Sequence, residues 1–222
     1  MTEPTSILPC ATAADWGPAI DEAVHALARG ALVVVPTDTV YGLAADAFNP
    51  AAVAALLAAK GRGRQMPPPV LVPDVRTLDG LATRISDEVR TLVANFWPGG
   101  LTIICHAHTS LAWDLGETAG MVAIRMPDHP AALALLARTG PLAVSSANLT
   151  GQPAALSAEA AFAQLGGSVA VYLDAGRVTG GLASTIVDAT GDALRLVRAG
   201  AVPLELLQSV VAIADPGEAA AG

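Results

Sequence analysis

The segment KGRGR, Lys60 to Arg64, combines the only lysine of the chain with two arginines and two glycines. An ammonium and a guanidinium both bind phosphate oxygens, the guanidinium through two parallel hydrogen bonds. Glycines allow the backbone to approach an anion closely. These residue types indicate a phosphate-binding segment. The alternative is that Lys60 complements the negative end of a predicted helix and that both arginines are solvated.

Arg125 lies in the otherwise apolar segment VAIRMP. A guanidinium buried in such a strand is unfavourable unless an anion pairs with it. The partner is either the anionic group of a substrate or a structural carboxylate, and both readings stay open at this point.

Hydroxyl and amide side chains follow several predicted strands, where ligand sites of α/β sheets form. Two interpretations of these side chains stay open. They could bind phosphate or ribose, or they could form turns and caps through side-chain bonds to the backbone, and Tyr41 could also be a core residue. These polar clusters are Thr37-Asp38-Thr39-Val40-Tyr41-Gly42, Ser145-Ser146-Ala147-Asn148, and Gly180 to Thr185 followed by Arg198.

Several familiar sites are missing from the sequence. No GxxxxGK[ST], GxGxxG or HExxH pattern occurs, and neither the four histidines nor Cys10 and Cys105 have metal-ligand spacing. We therefore predict no metal site built from protein side chains and no disulfide framework. The first 16 residues lack a basic, apolar targeting pattern, and no apolar run is long enough for a membrane span, so we expect a cytoplasmic protein without a membrane partner.

Composition sets the class of protein. The 222 residues are 53% hydrophobic and only 14% charged, which is typical of a packed globular domain. A formal net charge of −8 argues against a nonspecific nucleic-acid surface, although it leaves room for a local cationic pocket.

Predicted helices and strands alternate along the chain, which favours a single α/β domain with helices flanking the sheet. Strands joined by short polar connections, such as those near 184–188 and 193–197, make the predicted sheet mixed. The other predicted strands lie near 31–36, 69–73, 101–106, 121–126, 141–146 and 168–173. The predicted helices span about 15–28, 50–60, 86–96, 130–138, 157–165 and 203–212, and the stretch from 36 to 48 is predicted to be a loop.

Taken in order, seven motifs closely resemble the threonylcarbamoyl-AMP synthase family, also called the YrdC-like domain. They are PTDTVYGL, KGR, FWPGGLT, VAIRMPDHP, SSANLTGQP, STIVD and LRLVRAGA, and they extend from about Ala13 to Val202. The resemblance implies a twisted mixed sheet around a concave, positively charged cavity. We accordingly divide the chain into an N-terminal segment (1–12), a synthase domain (13–213) and a flexible tail (214–222).

The resemblance also implies a reaction. L-Threonine, bicarbonate or CO2, and ATP accompanied by Mg²⁺ would give threonylcarbamoyl-adenylate and pyrophosphate. A separate transferase would then place the threonylcarbamoyl group on the adenosine beside the anticodon of tRNA, so direct tRNA contact would be weak or indirect. The alternatives are an enzyme of the same fold with another acceptor and a non-catalytic RNA-binding module.

Residue roles follow from the same resemblance. The catalytic Lys-x-Arg and Ser-x-Asn tetrad corresponds to Lys60, Arg62, Ser146 and Asn148, which would bind ATP together with Arg198. The threonine site would comprise Thr39, Tyr41, Arg125, Val144, Ser184 and Thr185. Three positions depart from the family pattern: Gly63 replaces a proline, Ala154 replaces a serine, and a histidine expected after the Pro-rich segment is missing. Arg64 is left without a role.

Overall fold

A computed structural model describes residues 5–214 of the chain. In this range the helices are Ala13–Ala28 (α1), Pro50–Ala59 (α2), Thr77–Leu81 (α3), Asp87–Phe96 (α4), Pro130–Thr139 (α5), Ala158–Leu165 (α6) and Leu204–Gln208 (α7). The strands are Ser6–Pro9 (β1), Val33–Val35 (β2), Gly42–Asp46 (β3), Val70–Leu71 (β4), Ala82–Thr83 (β5), Leu101–Ala107 (β6), Met121–Arg125 (β7), Leu142–Ser146 (β8), Val171–Asp174 (β9), Thr185–Asp188 (β10) and Arg195–Arg198 (β11).

All the described strands belong to one mixed sheet. Their order is β1-β9-β2-β3-β8-β4-β7-β6-β10-β11, and β5 pairs with β6 beside this path. The pairs β1–β9, β2–β9, β4–β7 and β6–β10 are parallel, whereas β2–β3, β3–β8, β4–β8, β6–β7 and β10–β11 are antiparallel. The predicted α/β class with a mixed sheet and flanking helices is confirmed.

Local sequence signals fix the starts of several helices. The Asn49 side chain accepts hydrogen bonds from the backbone N–H groups of Ala51 and Ala52, directly before Pro50 begins α2. Ser86 caps α4 in the same way by accepting from Val89 N. Asn and Ser suit these positions because their side-chain oxygens accept from orphan N–H groups that a helix cannot satisfy itself.

Helices cover the two faces of the sheet unequally. On one face, α1 and α5 pack over the half of the sheet that contains β9, β2 and β8. The opposite face is covered by α2 and α6 over β2, β3 and β9, and by α3 and α4 over β6 and β7. The first face therefore stays open above β7, β6 and β10, and this open half forms the floor of a cavity.

The largest difference from the sequence-based expectation is β3. The stretch from 36 to 48 was predicted to be a loop, but Gly42–Asp46 pairs with β2 on one side and β8 on the other. The sequence GLAAD has little intrinsic strand preference, because Gly, Ala and Asp are depleted in strands. Pairing on both edges overrides this local preference, so only the tertiary structure shows the strand.

Smaller differences occur at the ends of the domain. Ser6–Pro9 joins the sheet beside β9, within the segment before residue 13 that was set apart as an N-terminal segment. The last helix ends at Gln208 rather than near 212. The predicted flexible tail falls almost entirely outside the described residues, of which Ala214 is the last and bridges to Arg195. No helix within residues 5–214 is long and apolar enough to cross a membrane.

Candidate functional site

A cavity of about 420 Å³ lies on the open half of the sheet. Its floor uses alternate residues of neighbouring strands, such as Thr102 and Ile104 of β6, and Ala123 and Arg125 of β7. Their neighbours Ile103 and Ile124 point to the opposite face and pack in the core, as the two-residue period of a strand requires. Of the residues predicted for the site, those that line this cavity are Thr39, Arg62, Arg125, Val144, Ser146, Ser184 and Arg198.

Arg125 is held firmly at the end of β7. Its side chain is 6% exposed, and its guanidinium donates to the Gly99 carbonyl through Nε, to Thr39 Oγ1 and to Asp38 Oδ1, at 2.9, 2.8 and 2.5 Å. The structural carboxylate considered from the sequence is therefore present, and it is Asp38. A guanidinium has five N–H donors, so two of them have no partner among residues 5–214.

Arg198 and Ser184 form a second polar group beside Arg125. The Arg198 guanidinium donates twice to the Ser184 carbonyl, at 3.0 and 2.7 Å, and once to Ser184 Oγ at 3.1 Å. Ser184 Oγ also lies 2.7 Å from Thr102 Oγ1. The hydroxyls and the guanidinium thus hold one another in place between β6, the residue before β10, and β11, with all three side chains lining the cavity.

Arg62 reaches the cavity from the loop after α2. One of its terminal nitrogens donates to Ser145 Oγ at 2.9 Å, whereas its Nε is buried without a hydrogen-bond partner. A buried unpaired N–H of a guanidinium is unfavourable, and a bound anion would remove this penalty. The geometry therefore suits Arg62 as an anion ligand.

Lys60 does not line the cavity. Its side chain is buried, with 3% exposure, and its ammonium donates to the carbonyl oxygens of Ser146 and Asn148 and to Asn148 Oδ1. These three bonds use all the donors that an ammonium has. In this structure Lys60 holds the loop after β8 against the end of α2, and Asn148 is part of that attachment. Direct binding of phosphate by Lys60 and Asn148 stays a prediction.

Tyr41 and Thr185 also lie away from the cavity wall. The Tyr41 ring is fully buried against α2 and α6, and its hydroxyl donates to Gly176 O at 2.6 Å. Thr185 Oγ1 donates to Val202 O at 2.6 Å and accepts from Val202 N at 3.0 Å. Both side chains therefore have structural partners, and a threonine contact by either of them stays a prediction.

Burial and mutual repulsion lower the pKa values of the basic groups. Burial, with a smaller contribution from the charge of Arg62, lowers the pKa of Lys60 to about 8. Burial also lowers the pKa of Arg62, Arg125 and Arg198. The charge of Arg62 lowers the pKa of Arg198 further. Asp38 raises the pKa of Arg125, and the charge of Arg198 lowers it by a smaller amount. An anion in the cavity would relieve this repulsion, so the electrostatics favour anion binding.

The comparisons with known proteins identify the family. The model for Sua5, YciO and YrdC, described as "Telomere recombination", matches residues 25–200. The chain belongs to this family. A Mycobacterium tuberculosis relative, named provisionally as a threonylcarbamoyl-AMP synthase, is 49% identical over 209 residues, which cover 94% of this chain and 96% of the relative.

Two longer members of the Sua5/YciO/YrdC family extend the comparison. The threonylcarbamoyl-AMP synthase of Bacillus subtilis is 39% identical over 197 residues, which are 87% of this chain and 57% of that protein. The crystal structure of Pyrococcus abyssi Sua5 complexed with L-threonine matches with a TM-score of 0.89 and 33% identity. It covers 95% of this chain, and this chain spans 63% of that one.

Some cavity residues of this Sua5/YciO/YrdC member were not found from the sequence. Thr102 stands in the apolar strand LTIICH, where a lone polar residue at an alternating position is a weak signal of an open face. Glu117 and Thr118 lie in the connection between β6 and β7 and line the cavity. Nothing in the local sequence indicates which residues of this loop reach the cavity, because its walls come from segments far apart in the sequence.

Proposed function

We propose that this chain is an L-threonylcarbamoyladenylate synthase. It converts L-threonine, bicarbonate or CO2, and ATP into threonylcarbamoyl-AMP, pyrophosphate and water, or without water when CO2 is the reactant. The proposal is supported by family membership, by the named relatives and by the match to a Sua5 structure with L-threonine. It belongs to the nucleotidyltransferases, because an adenylyl group moves from pyrophosphate to a carboxylate.

The arrangement of Arg125 is the observation that carries this proposal. Two of its donors are unspent, and the side chain is fixed by Asp38, Thr39 and Gly99. A guanidinium with a free pair of donors matches the carboxylate of an amino acid. The Thr39, Ser184 and Thr102 hydroxyls nearby offer partners for the polar groups of threonine.

Charge neutralisation and exclusion of water explain how the cavity would promote the reaction. The threonine amine and CO2 form N-carboxy-threonine, whose carboxylate attacks the α-phosphorus while the bond to pyrophosphate breaks. This nucleophile is already an anion, so the site needs no Ser-His-Asp triad. Arg62 and Arg198 would stabilise the charge that develops on the phosphate oxygens. The cavity would hold the labile carbamate beside ATP and limit its exposure to water.

Magnesium is expected to arrive with ATP. Among residues 5–214, no group of three or more His, Cys, Asp or Glu side chains is placed to hold a metal ion. Phosphate oxygens are suitable ligands for Mg²⁺, which usually keeps several water molecules as well. The ion would add positive charge at the phosphates, while the arginines hold the nucleotide in place.

The product points to a partner. A mixed anhydride of a carbamate and AMP is an activated, labile acyl donor, so it must be used by a transferase soon after release. We propose that a separate transferase places the threonylcarbamoyl group on the adenosine beside the tRNA anticodon. The net charge of −8 is consistent with an enzyme that leaves tRNA binding to this partner.

A labelling experiment tests the reaction. The purified chain is incubated with ATP, Mg²⁺, L-threonine and ¹⁴C-bicarbonate, and nucleotide products are separated by chromatography. We expect label in an adenylate that is absent when threonine is omitted or replaced by L-valine. If no labelled adenylate and no threonine-dependent pyrophosphate form, the proposed function is wrong.

A further inference from the structure

Arg64 joins two walls of the cavity. Its guanidinium donates to Asp114 at 2.7 Å, and its carbonyl accepts from Glu117 N at 2.8 Å. Gly116 lies so close to Arg64 that an added Cβ would come within 2.6 Å of the Arg64 carbonyl oxygen. These contacts fix the loop between β6 and β7 against the segment that carries Arg62, so Arg64 is a positioning residue for this loop.

The loop presents the acidic side chain of the cavity. Among the described residues that line it, Glu117 alone is a carboxylate, whereas Arg62, Arg125 and Arg198 are cationic. The Glu117 side chain is exposed and forms no hydrogen bond or ion pair within residues 5–214. Arg64, which is its neighbour in space, donates to Asp114 instead. The Glu117 carboxylate is therefore available to a ligand.

The Glu117 loop and Arg125 lie at opposite ends of β7. The Glu117 loop enters β7 at its first residue, where Met121 N donates to Thr118 O at 2.9 Å, and Arg125 is the last residue of the same strand. A strand rises about 3.3 Å per residue, so the two ends of β7 are about 13 Å apart. A threonine carboxylate on Arg125 thus places the amino acid at the end of β7 that is remote from the Glu117 loop.

The charge of Glu117 restricts what it can bind. A carboxylate repels phosphate groups, so the triphosphate belongs near the arginines rather than beside Glu117. The part of the substrates that is left to bind beside Glu117 is the nucleoside of ATP. Leu115 and Met121 also line this end of the cavity and supply an apolar surface for it. The two ribose hydroxyls are adjacent donors that match the two oxygens of one carboxylate, whereas the adenine amine is a single nitrogen.

We propose that Glu117, positioned by Arg64 and Asp114, binds the ribose hydroxyls of ATP. This inference rests on the proposed function, which places ATP in the cavity. It gives this loop a role in selecting a ribonucleotide, separate from the role of Arg125 in binding the amino acid. Arg64 then acts on ATP binding indirectly, through the position of Glu117.

A comparison of nucleotides and variants tests the proposal. Equilibrium dialysis without threonine gives dissociation constants of ATP, 2′-deoxy-ATP, 3′-deoxy-ATP and inosine triphosphate. The proteins are the wild type, Glu117→Ala, Arg64→Gln and the control Glu205→Ala, which changes a glutamate of α7 away from the cavity. We expect wild type and control to bind each deoxynucleotide about tenfold more weakly than ATP.

Glu117→Ala is expected to bind ATP about 10- to 100-fold more weakly than the wild type, because both hydroxyl contacts are lost, and to bind both deoxynucleotides as it binds ATP. Arg64→Gln should also weaken ATP binding and reduce the discrimination against deoxynucleotides. The double variant Arg64→Asp with Asp114→Arg should restore both properties. Threonine affinity should stay within twofold throughout. Discrimination against deoxynucleotides that survives in Glu117→Ala, or that is absent from the wild type, would overturn the inference. A loss confined to discrimination against inosine triphosphate would assign Glu117 to the adenine amine and overturn it as well.

Failure of the inference is distinguishable from failure of the proposed function. A wild-type chain that binds ATP and forms the labelled adenylate, with unchanged ribose discrimination in Glu117→Ala, refutes only the role of Glu117. A wild-type chain that binds no ATP refutes the synthase function and the inference together.

Discussion

The Lys60 ammonium donates to the Asn148 carbonyl at 2.7 Å and to Asn148 Oδ1 at 3.1 Å. With its third bond to the Ser146 carbonyl, Lys60 attaches the loop after β8 to the end of α2. These bonds connect two of the motifs that the sequence placed in one site, through two backbone carbonyls and one side-chain amide oxygen. Removing Lys60 should therefore affect both the loop and the chemistry.

Lys60→Met should abolish most of the activity and also weaken the fold. The substitution leaves three buried oxygen acceptors without their donor, so we expect a loss of about 1–3 kcal/mol in the free energy of unfolding. Displacement of Ser146 should lower threonine-dependent pyrophosphate release roughly 100-fold or more. Urea denaturation and a pyrophosphate assay measure the two effects. Arg76→Met, at a side chain that is 92% exposed, is the control and should change neither; a Lys60→Met variant with wild-type turnover would contradict the assignment of this segment to the site.

The lowered pKa of Lys60 predicts a pH dependence. Its pKa is about 8 in the folded chain, against an ordinary value of 10.5, so the positive charge is lost as pH rises through 8. If ATP binds the charged form, its affinity should fall about tenfold between pH 7 and pH 9. Stability should change in the opposite direction, because between pH 8 and 10.5 the unfolded chain binds the extra proton and the contribution of this group to stability rises with pH.

Dialysis of ATP and urea unfolding at several pH values, each compared with Lys60→Met, would measure these two trends. Other titrating groups are present in both proteins, so their effects cancel in the comparison. One of them is Cys105, because burial raises its pKa to about 12. Equal pH profiles in the two proteins would show that Lys60 does not titrate in this range.

Arg125→Lys should weaken threonine binding selectively. Lysine keeps a positive charge near Asp38 but loses the planar pair of donors that a carboxylate engages. We expect the dissociation constant of threonine, measured by calorimetry, to rise roughly 10- to 100-fold, with less than a threefold change for ATP. Arg138→Lys is a matched control, because Arg138 pairs with Asp21 on the exposed surface. Unchanged threonine affinity in Arg125→Lys would contradict the assigned role.

Gly42→Ala should distort the cavity floor. A Cβ at this position would lie 2.6 Å from Val144 Cγ1, which is too close for β8 to accept unchanged, whereas its 3.6 Å distance from Val35 Cγ2 is an ordinary contact. We expect a loss of about 1–3 kcal/mol in the free energy of unfolding and reduced activity. Adding Val144→Ala removes the close contact and should restore most of the stability.

Gly167→Ala provides the control for this pair of substitutions, because a Cβ there meets nothing within 4 Å. Unfolding in urea measures all four proteins. If the single and double variants are equally destabilised, the contact with Val144 is not the cause.

The sequence by itself determined the class of the fold and predicted several of the residues that line the cavity. Alternating helix and strand patterns predicted the mixed sheet, and helix caps such as Asn49 and Ser86 fixed element starts, because these signals depend on near neighbours in the chain. The ordered motifs also predicted Arg62, Arg125 and Arg198, which line the cavity.

Only the tertiary structure decided which face each side chain occupies. Lys60, Tyr41 and Thr185 stand inside motifs that resemble a site, yet their polar groups are bonded mainly to the backbone of other segments. The strand at 42–46 exists because partners pair with it on both edges, despite its small residues. Glu117 reaches the cavity because Arg64, far away in sequence, holds its loop. Strand register and long-range contacts determine where these residues lie. A local sequence pattern gives no information about either of them.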